Sequence, residues 1–196
     1  MTAEPLAAED QARANFYALL AQLFYAPPER EVLGLLARTD AAVAEEGTSA
    51  LAGALQALAQ SASGAEPETV REEYESLFVG TGRAEITLYT GAYTLQSALD
   101  NPLVGIREFL IVQGLERRQS VHEPEDHIAA LCEVMRHLIV RGDAASQQEF
   151  FESYLASAGP VLCDAVIDHQ RASFYRYAAR LAKTFFELEH AAFDMA

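Results

Sequence analysis

The chain has 196 residues, 51% of them apolar, with 29 acids against 14 bases and a net charge of −15. That length and apolar content suit one buried core and exclude a disordered chain, which lacks the apolar surface to offset its entropy. The acid excess repels phosphate backbones and anionic lipid headgroups, so it argues against nucleic acid and favours a cationic partner whose guanidinium groups pair with carboxylates.

Cys132 and Cys163 lie in the apolar contexts "AALCEVM" and "GPVLCDAV" and read as small core residues. Neither a disulfide framework nor a CxxC pair is present, which fits a reducing compartment. The start "MTAEPLAAEDQ" has no basic region followed by an apolar run, and no stretch approaches the roughly 18 apolar residues of a membrane span. The expected location is the cytoplasm, without stable membrane insertion.

In chain order, Phe16, Leu19, Leu20, Leu23 and Phe24 share a helical face that stops at "APPE", where Pro28 is suited to begin a second helix. Leu51, Leu55 and Leu58 mark a third after a break at Gly47, and "SASGAEP" is the most linker-like stretch. Val70, Tyr74, Leu77 and Phe78 mark a fourth that ends at Gly80, with Tyr74, Leu77 and Phe78 on its apolar face. From Gly80 to Tyr93, "GTGRAEITLYTGAY" loses the helical period. Ile86 and Leu88 alternate like a strand with no evident partner, so the segment reads as a long ordered loop or a loop entering a short helix. "NPLVGIREFL" begins the next helix, with Asn101 as cap and Pro102 in the first turn. "VHEPEDHIAAL", residues 121–131, begins another, with Glu123 near the cap, Pro124 in the first turn and Asp126 near the third helical position. Asp143 caps a further helix through "SQQEFFESYLAS". Past Gly159 and Pro160, Phe174, Ala178, Leu181, Phe185 and Leu188 form the seam of a helix packed in a bundle. The expectation is an all-α, single-domain bundle of about eight helices over residues 1–196, with one long ordered loop near residues 80–93.

The stretch at 121–131 concentrates acids and histidines. Capping accounts for the acids but not for the histidines. On a helical projection Glu123, Asp126, Glu133, His137 and Arg141 share a polar stripe, with His127 at its border. A metal reading would use Glu123, His127, Glu133, His137, Glu187 and His190, but helical di-iron sites need two E-x-x-H elements, and Glu187 to His190 is one. Asp126 and His127 are adjacent, so on a helix their side chains diverge by about 100° and form no acid–histidine couple. No nucleophile elbow is present, "GTGRAE" is neither a dinucleotide fingerprint nor a P-loop, and Lys183 is the only lysine. No catalytic residue, metal or cofactor is assigned.

"EPEDH", Glu123 to His127, resembles the E-P-D-D-H signature of the TorD/DmsD/NarJ family of redox-enzyme maturation chaperones. "EYESLFVGTGRAEITLYTGAY" is similar to the family's Y-x-x-L-F-v-G segment followed by P-Y-x-S-x-Y, with Tyr74, Leu77, Phe78, Gly80, Tyr89 and Tyr93 on matching positions. "GDAASQQEFFESYL" and "ASFYRYAARLAKTFF" look like its two C-terminal helices, so the resemblance runs from about residue 13 to 190. Leu88 stands where the family usually has proline, Gly91 where it has serine, and Tyr154 where histidine is common; tryptophan is absent.

The resemblance implies a non-enzymatic, all-helical cytoplasmic chaperone. Its partner would be an apo-molybdoenzyme precursor of the dimethyl-sulfoxide-reductase type, bound through its twin-arginine signal peptide, held back from Tat export and assisted in molybdenum cofactor insertion. Molybdenum cofactor biosynthesis proteins belong to the same implied partner set. On that reading Glu123, Glu125 and Asp126 meet the guanidinium groups and His127 donates to a peptide carbonyl. Phe78, Ile86, Leu88, Tyr89 and Tyr93 form an apolar wall, and Pro124, Tyr74, Leu77 and Gly80 are structural. Core packing is the competing role for the loop tyrosines, and Arg83 is a candidate internal ion-pair partner of the motif. Two alternatives stay open: a helical metal-binding or di-iron carboxylate enzyme, and a NarJ-like chaperone that binds a mature enzyme subunit.

Overall fold

The apolar spacing along the chain becomes ten α-helices and one π-helical turn among the described residues. The computed structural model describes residues 6–43, 49–80, 82–94, 102–117 and 123–195. The expected break at Gly47, the cap at Asn101, and Val121 and His122 of the motif lie outside the described residues.

Helix α1, Ala8–Tyr25, carries Glu9 and Asp10 in its first turn, where carboxylates complement the helix dipole. It ends at Ala26 in extended backbone before Pro27 and Pro28. Helix α2, Arg30–Val43, starts later than expected: Pro28 is buried in the turn, and the Glu29 carbonyl takes the first helical hydrogen bond, from Leu33 N–H at 3.0 Å. Helix α3, Ala50–Ser63, is capped by Ser49, whose hydroxyl accepts from Ala52 N–H at 3.1 Å. Helix α4, Pro67–Tyr74, opens on a proline and runs into the π-helical turn Glu75–Val79. That turn closes with Gly80 N–H donating to Glu75 carbonyl at 2.7 Å, and Gly80 takes φ 66°, which glycine reaches without a Cβ clash.

Three elements follow: α5, Gly91–Thr94; α6, Pro102–Val112; and α7, Ile128–Val140. Helix α8, Ala144–Tyr154, has the expected cap, Asp143 accepting from Ser146 N–H at 3.1 Å. Helix α9, Ala158–Ile167, runs straight through Gly159 and Pro160, which the sequence reading took as an interruption. Pro160 lies in the first turn, where a backbone N–H has no intrahelical acceptor to lose. Helix α10, Phe174–Asp194, completes the chain of elements.

Helix α1 packs most extensively on α7, α2 on α3, and α10 on α9 and α3. Tyr17, Leu20, Leu23, Phe24, Met135, Phe150, Phe185 and Tyr175 are almost wholly buried in one contiguous core, each such side chain contributing about 1.5–3 kcal/mol. The seam of α10 follows Phe174, Ala178, Leu181 and Phe185 as expected and then departs: Leu188 is half exposed, while Glu189 is buried. Glu189 turns inward because Arg13 meets it with two bonds, Nε to Oε1 at 2.7 Å and Nη2 to Oε2 at 2.9 Å, and Tyr17 hydroxyl adds a third at 3.0 Å. Arg13 also reaches Gln147 at 3.1 Å, so one buried polar knot ties α1 to α8 and α10.

No single helix among the described residues is long and apolar enough to cross a membrane. The bent pair α8 and α9 is apolar enough together, but its Phe150, Phe151, Leu155, Leu162, Cys163 and Val166 are fully buried in the core.

Candidate functional site

The acidic motif is not the helix start the sequence suggests: Glu125 and Asp126 form a turn, and only His127 is extended. His127 has φ −64° and ψ 131° and is itself the cap of α7, its Nδ1 accepting from Ala129 N–H at 3.2 Å. The reason lies in the upstream loop. The alternating segment at Ile86 and Leu88 does have a partner, and it is the motif: Tyr89 and His127 form a one-rung antiparallel bridge. Thr90 N–H donates to Asp126 carbonyl and Ile128 N–H to Leu88 carbonyl, both at 2.9 Å. Pairing holds Asp126 and His127 out of helical conformation. Pro124 and Asp126 therefore lie in the preceding turn, where His127 N–H reaches Pro124 carbonyl at 3.1 Å.

The three acids take three different environments. Glu123 accepts the Tyr89 hydroxyl, whose ring meets His127 edge-on at 5.4 Å. Burial, then the Glu123 carboxylate, pushes that hydroxyl up to about 12. Glu125 faces two arginines: Arg107 places Nε 3.0 Å and Nη2 2.9 Å from Oε2, and Arg117 places Nε 3.4 Å from Oε1. Burial would raise this carboxyl, but its own backbone N–H and the two guanidinium groups hold it below the ordinary range. Asp126 is 7% exposed and points away from solvent, so it does not share the outer polar stripe expected of it. Burial raises its pKa, opposed by hydrogen bonds from its own N–H and from Gly91 N–H. Gly91 is needed there, since a Cβ would stand 2.8 Å from Asp126 Oδ2 and 3.0 Å from Pro102 Cγ.

His127 is 4% exposed, and burial lowers its pKa. Because Nδ1 accepts a hydrogen bond, the neutral ring carries its proton on Nε2. Nε2 has no protein partner among the described residues, and His127 lines a groove of ≈ 570 Å³. The groove runs between α1, the end of α6, the motif and α7. Ala21, Ala130, Val134, Leu110 and Leu115 give it an apolar lining, with Gln22 and Tyr25 on the α1 side. Glu123, Glu125, Glu133, Glu116, Arg117 and Arg136 supply its charged edge, with His137 beside them.

The residues expected to form an apolar wall do not line this groove. Ile86 and Leu88 are in the core, and Phe78 packs edge-on against Tyr74, Tyr175 and Phe24 at 5.2, 5.0 and 6.5 Å. Tyr93 donates to Thr87 carbonyl at 2.9 Å, within its own loop. Tyr89 stands behind the motif and holds Glu123. Leu77 is fully buried with its carbonyl on Ile86 N–H at 2.9 Å, and Tyr74 hydroxyl reaches the carbonyls of Phe24 and Tyr25 at 3.2 and 3.0 Å, which braces the end of α1. The groove residues of α1 and α6 escaped the sequence reading because each looks like ordinary helix surface. The arginine doublet directly upstream of the motif was the one available signal for Arg117. Arg83 is exposed, and Arg107 and Arg117 are the internal partners of the motif.

The residues of the metal alternative are not brought together. Among the described residues no three His, Cys, Asp or Glu side chains converge. Glu133 pairs with Arg136 at 2.9 Å, Glu187 lies 4.0 Å from Lys183, and His190 lies 3.8 Å from Asp194.

Residues 44–186 match the family model described as nitrate reductase delta subunit. The chaperone protein TorD of Vibrio cholerae serotype O1 is 25% identical over 134 residues, covering 62% of this chain and 61% of that protein. The chaperone protein TorD of Aliivibrio fischeri is 26% identical over 125 residues, covering 57% and 58%. The chain thus spans about three fifths of the length of the curated relatives it matches. The crystal structure of a chain described as a redox enzyme maturation protein from Archaeoglobus fulgidus superposes with a TM-score of 0.55 at 18% identity, covering 95% of this chain and 98% of that one, a likeness of fold.

Proposed function

Given that the chain belongs to the nitrate reductase delta subunit family, we propose that it is a redox-enzyme maturation chaperone and not a catalyst, and that it captures an arginine-bearing apolar segment of its client. The observation that carries this reading is the groove itself, an apolar channel that starts at the buried Nε2–H of His127 and the carboxylates of Glu123 and Glu125. A twin-arginine signal peptide has the complementary order, a pair of guanidinium groups followed by an apolar, helix-prone run. Helix-in-groove recognition of this kind draws affinity from the apolar face and register from the polar anchors.

In this proposal Glu123 and Glu125 receive the arginines, and His127 donates to a peptide carbonyl left unpaired at a helix end. Ala21, Ala130, Val134, Leu110 and Leu115 take the apolar side chains. Asp126 acts at one remove: it fixes the loop at Gly91 that presents Tyr89 to Glu123. Phe78, Ile86, Leu88 and Tyr93 support the site from the core side. Its client would be an apo-molybdoenzyme of the dimethyl-sulfoxide-reductase type, retained in the cytoplasm until its cofactor is inserted, and the contiguous core supports one domain over residues 1–196.

The test is calorimetric titration of the full chain with a synthetic twin-arginine signal peptide and with a scrambled peptide of equal charge. Micromolar binding, about −8 kcal/mol, to the first alone is expected. Equal heats for both peptides, or none across several signal peptides, would overturn the groove assignment. Binding only to a folded enzyme subunit would select the NarJ-like alternative.

A further inference from the structure

The cation-receiving end of the groove needs a contact that tells a guanidinium from an ammonium, and charge alone does not provide one. A guanidinium is a plate whose edges carry the N–H donors, so a complete site offers a carboxylate at an edge and an aromatic ring at a face. Of the two acids at that end, Glu125 already holds Arg107 and Arg117. Glu123 has no ion pair among the described residues, and its carboxylate takes a neutral hydroxyl, that of Tyr89. Tyr25, the last residue of α1, lines the same groove and is 52% exposed. We infer that Tyr25 is a specificity-determining residue of the groove, its ring stacking on the face of a client arginine whose edge pairs with Glu123. The inference rests on the groove reading above and names the residue that selects arginine within it.

Several contacts hold the ring in place and leave it open. Tyr74 hydroxyl donates to the carbonyls of Phe24 at 3.2 Å and Tyr25 at 3.0 Å, so the end of α1 is pinned through its backbone and not through the Tyr25 ring. Tyr74 also links the ring to the acid: burial, then the nearness of Glu123 and of Tyr25, pushes its hydroxyl up to about 12, so both lie within electrostatic reach of one oxygen. The arginine–ring stacks among the described residues are Arg13 on Phe193 and Arg180 on Tyr177, so no internal guanidinium covers Tyr25. The local field suits a cation as well. Helix α1 has no basic residue in its last turn, and the carbonyls of Leu23, Phe24 and Tyr25 meet the neutral hydroxyls of Tyr175 and Tyr74. The negative end of the helix dipole therefore adds to the pull of Glu123. A lysine gains from that field as an arginine does, but it has no face to lay on the ring and holds its water more tightly.

Tyr25→Leu keeps apolar bulk and helix propensity without a ring face, and Tyr25→Phe keeps the face without the hydroxyl. The experiment titrates the full chain as wild type and as each variant with a twin-arginine signal peptide and with its twin-lysine counterpart, recording Tm for each protein. The wild type is expected to prefer the arginine peptide by about 5-fold or more. Tyr25→Leu should lose about 2- to 5-fold in affinity for the arginine peptide and little for the lysine peptide, so the ratio falls by about that factor. Tyr25→Phe should keep the wild-type ratio. A tyrosine that only shapes the groove would weaken both peptides alike, so an unchanged arginine-to-lysine ratio in Tyr25→Leu overturns the inference and leaves the groove reading intact. An equal fall of the ratio in Tyr25→Phe overturns it too, because the ring face is still there. If neither peptide binds any of the three proteins, the groove reading fails and the inference falls with it.

Discussion

Replacing Asp126 separates two roles that its position in the motif confounds. Asp126→Ala removes the acceptor of Gly91 N–H at a site 7% exposed to solvent. A buried donor left without a partner costs about 1–3 kcal/mol. For a chain of this size each kcal/mol lowers Tm by about 2–4 °C, so the expected loss is about 2–12 °C. Asp126→Asn keeps an acceptor oxygen in place and should lose far less. The pH dependence has a defined sign. Burial raises the folded pKa of Asp126, so the native state binds the proton more tightly than the unfolded chain. The stability this group contributes is therefore fully present below its unfolded value of about 3.9 and declines as pH rises through the window between the two values. Wild type should lose ground to Asp126→Asn as pH is raised from about 3.5. The assay is thermal unfolding by circular dichroism across pH, paired with peptide titration. Asp126→Asn should bind the arginine peptide nearly as well as wild type, because the carboxylate holds the loop and does not touch the ligand. Loss of binding in a fully stable Asp126→Asn protein would refute this reasoning and return Asp126 to direct contact with a guanidinium group.

Ala130→Trp should fill the groove floor and weaken peptide binding by about 10-fold or more with Tm nearly unchanged; binding at wild-type strength would move the site off the α1/α7 face. His127→Asn should keep the α7 cap, since asparagine is a good cap residue, but lose the Nε2–H donor, so affinity falls and stability holds; a large drop in Tm with intact affinity would count against that split. The folded pKa of His127 is lowered by burial, so its contribution to stability is present above about 6.5 and is lost as pH falls. The denaturant midpoint of wild type should therefore drop below that of His127→Asn as pH falls toward about 5, and midpoints that stay together would contradict the assignment. Arg13→Ala strands Glu189, whose side chain is 4% exposed, and should cost about 3 kcal/mol, near the low end for a broken buried pair because Arg13 itself is one-fifth exposed. Chemical denaturation showing under 1 kcal/mol would mean that water or Tyr17 replaces the arginine.

The sequence alone determined what depends on local periodicity. Phe16 to Phe24, Val70 to Phe78 and Phe174 to Phe185 each carry enough apolar spacing to specify an amphipathic helix, and Asp143 and Gly80 mark ends through chemistry that acts within a few residues. The resemblance carried by Glu123 to His127 also needed nothing beyond the order of residues. Tertiary structure decided everything that depends on pairing between distant segments. The bridge between Tyr89 and His127 put a turn and one extended residue where a helix start was predicted, turned Asp126 inward and made His127 the cap. Arg13, almost the whole chain away, made Glu189 a core residue in place of Leu188. Ile86 and Leu88 went into the core for the same reason: whether they are buried depends on what covers them, and the covering elements are remote in the chain. Periodicity records which face of a segment is apolar, whereas burial, ionisation and groove shape are set by the partner that arrives from elsewhere.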